Sequence, residues 1–180
     1  MHTKHHIDAL IDRESIEARA AEMASEMARD YAAKRPLLVG VLNAAAHFQM
    51  ALVRHWPAQH QAQLDYDFVD VSSYDGMQSS GQVKLVKDVV VDLRNRDVIL
   101  VEGVVDTGRT LHFLLNHFTD REPASLKVCS LLNKRVERLF DVSVDYCGFE
   151  IDDLFVVGFG LDYNQSYRAL DHIGVLHLST

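Results

Sequence analysis

Residues 97–111 read Asp97-Val98-Ile99-Leu100-Val101-Glu102-Gly103-Val104-Val105-Asp106-Thr107-Gly108-Arg109-Thr110-Leu111. Val98 to Val101 is an unbroken aliphatic and β-branched run, which suits a parallel strand covered on both faces. The chemistry then changes: Glu102 and Asp106 bring carboxylates, Thr107 and Thr110 hydroxyls, and Gly103 and Gly108 are read as turn residues. From Leu111 the apolar residues Leu114, Leu115 and Phe118 recur at helical spacing. The pattern is strand, small polar loop, helix. A helix N-terminus presents free amides and a positive dipole end, which suit a phosphate, while paired carboxylates suit sugar hydroxyls, a metal or a proton. A phosphorylated sugar satisfies both halves.

Two other readings stand beside it. The plain one is a βα turn whose Asp and Thr merely cap a helix. The other is the phosphate loop of nucleotide hydrolases, since Gly103 and Gly108 are followed by Arg109 and Thr110 in the G-x-x-x-x-G-K-[ST] frame. Arg109 stands where that loop needs a compact ammonium, and a guanidinium is a poor substitute.

Moving outward, Ser15 is expected to cap a helix with Ile16, Ala20, Met23, Met27 and Tyr31 on one face. Pro36 to Leu42 reads as a second buried strand, leading through Asn43-Ala44-Ala45-Ala46 to a helix that Pro57 stops. Tyr66 to Val71 is a further strand, breaking into a Ser- and Gly-rich run, 72–81, with the composition of either a mobile loop or an exposed hairpin. Leu126 to Leu132 and Phe155 to Gly160 complete the expected strands, each delivering polar residues at its carboxyl end, where open α/β sheets place their ligands. His2, His5 and His6 are read as a frayed leader without a site.

The chain has 180 residues and no linker, repeat or low-complexity segment, so residues 1–180 are read as a single domain. Its net charge of −8 and lack of basic runs argue against a nucleic-acid partner. The absence of a long apolar stretch or signal-like leader argues for no membrane partner and a cytoplasmic location. Cys129 and Cys147 lack metal or redox spacing and are expected to be small core residues.

The stretch 98–111 resembles the phosphoribosyl-pyrophosphate motif of type I phosphoribosyltransferases: four apolar residues, two acids, two apolar residues, then Asp-Thr-Gly. Other stretches are similar to the hypoxanthine-guanine phosphoribosyltransferases in particular. They are Pro36 to Leu42, Val71-Ser72-Ser73-Tyr74, Leu131-Leu132-Asn133-Lys134, Gly148-Phe149-Glu150-Ile151, Phe155-Val156-Val157-Gly158 and Leu161-Asp162-Tyr163. The resemblance covers almost the whole chain in order.

It implies an α/β fold, a mostly parallel central sheet flanked by helices, with a small hood from the N-terminal segment and C-terminal strands. It also implies purine salvage: transfer of the phosphoribosyl group to hypoxanthine or guanine, with Mg2+ and a homodimer or homotetramer. Asp106 would act at N7 of the purine as the catalytic acid or base. Thr107, Gly108, Arg109 and Thr110 would wrap the 5′-phosphate, and Glu102 would hold the ribose hydroxyls. Lys134 would donate to the 6-oxo group and so reject adenine. Phe155 would stack on the base, Val156 would meet its 2-position through the backbone, and Asp162 would border the base and, with Glu102, hold Mg2+. Asn43, Ala44 and Arg168 would contact pyrophosphate. Ser73 and Tyr74 would belong to a lid that excludes water.

Two positions depart from the family pattern. Gly103 replaces an Asp that would bind ribose, a loss of about 1.5–3 kcal/mol if nothing substitutes. Asn43-Ala44 replaces a basic residue and Gly in a pyrophosphate loop that often contains a non-proline cis bond. These departures define a rival from another class, a purine-nucleotide-binding protein without turnover.

Overall fold

The computed structural model describes residues 5–73 and 83–178. In chain order the elements are β1 (His5–Ile11), α1 (Arg13–Asp30), β2 (Leu37–Leu42), α2 (Ala46–His55), a 3-10 turn (Ala58–Gln63), β3 (Asp65–Ser73), β4 (Val83–Lys87), β5 (Asp97–Val105), α3 (Arg109–Thr119), β6 (Ser125–Lys134), β7 (Tyr146–Ile151), β8 (Val156–Val157) and β9 (Ile173–Leu178). The main sheet has the order β4-β3-β2-β5-β6-β7, parallel except that β4 runs antiparallel to β3. A second sheet has the order β1-β9-β8 and is antiparallel.

The central run behaves as its composition demands. Successive residues of β5 face opposite sides, and both sides are covered. Ile99 and Val101 join a core with Ile16 and Met23 of α1 and Phe48 and Leu52 of α2. Val98 and Leu100 join a second core with Leu111, Leu114 and Phe118 of α3. Parallel pairing of β5 with β6 continues to Val105 opposite Asn133, so Asp106 and Lys134 leave the sheet at the same end.

Several expectations need correcting. Helix α1 starts at Arg13 and is capped by Asp12, whose side chain accepts from Ser15 N at 2.7 Å; Ser15 is not the cap. His5 and His6 are not frayed, because β1 pairs with β9 through His5 opposite Leu178 and His6 opposite His177; His2 lies outside the described residues. Glu102 and Gly103 belong to β5, not to the loop. Phe155 to Gly160 is not a strand of the main sheet. Only Val156 and Val157 are extended, in the small sheet, and Gly158, Phe159 and Gly160 all take positive φ, which ends the strand. The place beside β6 is taken by β7. Tyr74 and most of the Ser- and Gly-rich run, residues 74–82, lie outside the described residues.

Candidate active site

The carboxyl ends of β2 and β5 and the start of α3 enclose a cavity of about 240 Å³, lined by Leu42, Ala44, Glu102 and every residue from Val104 to Leu111. Val71 and Val83 close it from the β3–β4 side. The loop is shaped by Gly108, which takes φ +79 as the N-cap of α3. An added Cβ there would lie 2.7 Å from Phe140 O, so position 108 needs glycine for both conformation and space. The segment carrying Phe140 supports the loop from behind, with Phe140 N donating to Thr107 O at 3.2 Å. Arg138 anchors that segment by donating to Asn133 Oδ1 and Val142 O. Asp106 and Thr107 are exposed, and Arg109 and Thr110 half-buried.

Lys134 Nζ lies 2.9 Å from Asp106 Oδ2 and 3.1 Å from Asp153 Oδ1. Its side chain is only 10% exposed. Burial by itself would lower the lysine's pKa, but the hydrogen bonds and charges of the two carboxylates more than offset this and hold it above the usual range. Asp153 was missed in the sequence. The acidic pair Asp152-Asp153 just past Ile151 was the available signal, but only the path from β7 to β8 brings it to the end of β6.

Glu102 is 6% exposed and its carboxylate accepts from Gly103 N at 3.0 Å. Burial pushes its pKa up to about 8 against the opposing effect of that hydrogen bond, so it holds a proton at neutral pH. Gly103 does not turn the chain. A Cβ there would sit 2.9 Å from Ala44 O and 3.1 Å from Ala44 Cβ. A Cβ on Gly160 would run into the same carbonyl. The two departures from the family pattern, at 44 and 103, are therefore in contact. A side chain at 103 would press first on the backbone of residue 44 and then on its methyl group.

The turn itself is compact: Ala45 N donates to Val41 O at 3.0 Å and Ala46 N to Asn43 O at 3.2 Å. Its Leu42–Asn43 peptide is cis. Asn43 is exposed and is not among the cavity-lining residues, whereas Ala44 is. Behind the turn, Arg168 pairs with Asp162 at 2.8 Å and donates to Gly160 O at 2.7 Å. Phe155 is 53% exposed and meets Tyr163 edge-on at 5.7 Å, while Val156 is buried. Ser73 ends β3, and Tyr74 is outside the described residues.

Lys134, flanked by two carboxylates, stands at the end of the turn that opens α3, and free amides at a helix N-terminus suit an anion. Among the described residues, no group of three His, Cys, Asp or Glu side chains could hold a metal, and no helix is long and apolar enough to cross a membrane.

Comparison with known proteins agrees. Residues 6–164 match the family described as the phosphoribosyl transferase domain. A hypoxanthine-guanine phosphoribosyltransferase of Streptococcus mutans is 41% identical over 93% of this chain and 91% of its own. One from Bacillus subtilis is 41% identical over 96% of this chain and 95% of its own. The crystal structure of a hypoxanthine-guanine phosphoribosyltransferase from Bacillus anthracis superposes with a TM-score of 0.87 at 35% identity, covering 97% of this chain and 100% of that one. With the family match, the sequence identity and the fold in agreement, this chain belongs to the phosphoribosyltransferase family, among the hypoxanthine-guanine phosphoribosyltransferases.

Proposed function

We propose that this enzyme carries out purine salvage, joining hypoxanthine or guanine to the ribosyl group of phosphoribosyl pyrophosphate and giving IMP or GMP plus pyrophosphate. The observation that carries this reading is the 2.9 Å approach of Lys134 to Asp106 at the mouth of the phosphate turn, which sets a base-reading donor beside a proton acceptor. In the transfer, the N9 lone pair of the purine bonds to C1′ of the sugar. The C1′–O bond to pyrophosphate breaks, its electron pair leaves with pyrophosphate, and the N7 proton passes to Asp106.

Thr107, Gly108, Arg109 and Thr110 hold the 5′-phosphate, with Gly108 bringing the backbone close. Glu102 faces the ribose hydroxyls from the cavity wall. Lys134 donates to the 6-oxo group of the base, Phe155 stacks on its plane, and the Val156 backbone meets its 2-position. Ala44, with Asn43 and Arg168, contacts pyrophosphate. The sheet β1-β9-β8 forms the hood of a single domain.

Magnesium suits this donor set because it usually takes one or two protein carboxylates and substrate phosphates, without a closed protein cage. Asp162 offers hard oxygens, which now accept from Arg168 and Gln165 N and would turn to the ion, while Glu102 must first release its proton. An ion held there would supply positive charge against the leaving pyrophosphate. The same reading places the enzyme in the cytoplasm as a homodimer or homotetramer.

The test is steady-state product formation by the purified protein with magnesium, sugar donor and each of hypoxanthine, guanine, xanthine and adenine. IMP and GMP are expected and AMP is not. A folded sample that forms neither IMP nor GMP would end this reading.

A further inference from the structure

Lys134 has more carboxylate around it than base recognition requires. Asp106 approaches from the end of β5, and Asp153 approaches from the connection between β7 and β8, 3.1 Å from Nζ. The neighbouring cation Arg135 is engaged elsewhere, with Glu150 at 3.2 Å and Asp152 at 3.7 Å. Asp153 also lies two residues before Phe155, so its bond to Lys134 ties the base-stacking segment to the end of β6.

We propose that Asp153 is a positioning residue for the transfer, holding Lys134 at the base and sharing its charge so that Asp106 is free to take the purine proton. The proposal rests on the roles given to Asp106 and Lys134 above. A charge-assisted bond from Lys134 to Asp106 alone would satisfy that carboxylate and make it a weaker proton acceptor. Once Asp106 took the N7 proton, a lysine only 10% exposed would also lose its counter-charge, which is costly away from water. Asp153 removes both difficulties. Before transfer, one ammonium faces two carboxylates; after it, one ammonium faces one carboxylate, and the local charge is balanced. Asp153 is itself 72% exposed, so it reaches Lys134 from the solvent side.

The experiment compares wild type, Asp153→Asn and Asp153→Glu by the pH profile of kcat/KM for hypoxanthine at saturating sugar donor and magnesium, with KM for the donor measured alongside. For Asp153→Asn the expected result is a loss of about tenfold in kcat, an acid limb displaced to lower pH and an unchanged donor KM. Asp153→Glu recovers most of the rate. An Asn variant matching wild type in rate and profile would overturn the inference while leaving the function intact, and so would a loss confined to donor KM. A wild type that makes no IMP would overturn both. Asp153 is exposed, so the Asn variant should melt with wild type; if it melts early, Asp153→Ser supplies the same loss of charge.

Discussion

Lys134 Nζ stands 2.9 Å from Asp106 Oδ2 across 28 residues of sequence, and the pairing of β5 with β6 is what brings them together. Val105 lies opposite Asn133, so the next residue of each strand emerges at the same rim. On that rim Lys134 meets Asp106, which is itself a wall of the cavity beside the turn.

On the proposed reading, the donor at position 134 sets base choice. A lysine has no acceptor, so it favours a 6-oxo group over a 6-amino group. Lys134→Gln, whose amide both donates and accepts, should lower hypoxanthine kcat/KM at least about tenfold and reduce the preference for hypoxanthine over adenine. Competition assays with the two bases read this directly. An unchanged ratio would remove Lys134 from base selection.

Buried Glu102 makes stability depend on pH. Its pKa rises from 4.5 to about 8, so between those values the folded protein keeps a proton that the unfolded chain has released. Stability from this group is complete below pH 4.5 and falls as pH rises toward 8, by an amount on the order of 4 kcal/mol at pH 7.5. Glu102→Gln should therefore melt higher than wild type at pH 8, by about 2–4 °C per kcal/mol recovered, and show a flatter profile between pH 5 and 8. The same variant should bind the sugar donor less well. Thermal melts across that range, paired with donor KM, test both halves.

At Gly108 the left-handed backbone and Phe140 O together exclude a side chain. Gly108→Ala should cost about 1–3 kcal/mol and raise KM for the sugar donor more than KM for the base. Denaturant melts and two-substrate kinetics separate the effects.

Restoring the family's acid at 103 in isolation should harm the protein, because its Cβ would press on Ala44 O and Cβ. Gly103→Asp is predicted to lose about 1–3 kcal/mol, and adding Ala44→Gly should return part of it by removing the methyl contact. Additive losses in the double variant would break the proposed link between the two positions.

Much of this was readable in the sequence because it is local. The aliphatic run at 98–101 made β5, the spacing of Leu111, Leu114 and Phe118 made α3, and the polar composition of 106–110 marked the turn between them. What escaped depended on distant packing. Gly103 looked like a turn residue until Ala44 was seen against it, and Glu102 looked like a loop carboxylate until β5 was seen to carry it into the wall. The run 155–160 had strand composition, but positive φ at Gly158, Phe159 and Gly160 overrode it. Asp153 carried no motif, and β1 was polar enough to pass for a frayed end before β9 paired with it.

A double-mutant cycle on Asp106 and Lys134 is the most direct test of their shared role. The measurement is kcat/KM for hypoxanthine in wild type, Asp106→Asn, Lys134→Met and the double variant. Two groups acting on one bound purine should be non-additive, with the double variant little worse than the poorer single. Losses that multiply in full would mean that the two side chains act independently, and the account of a single site would be contradicted.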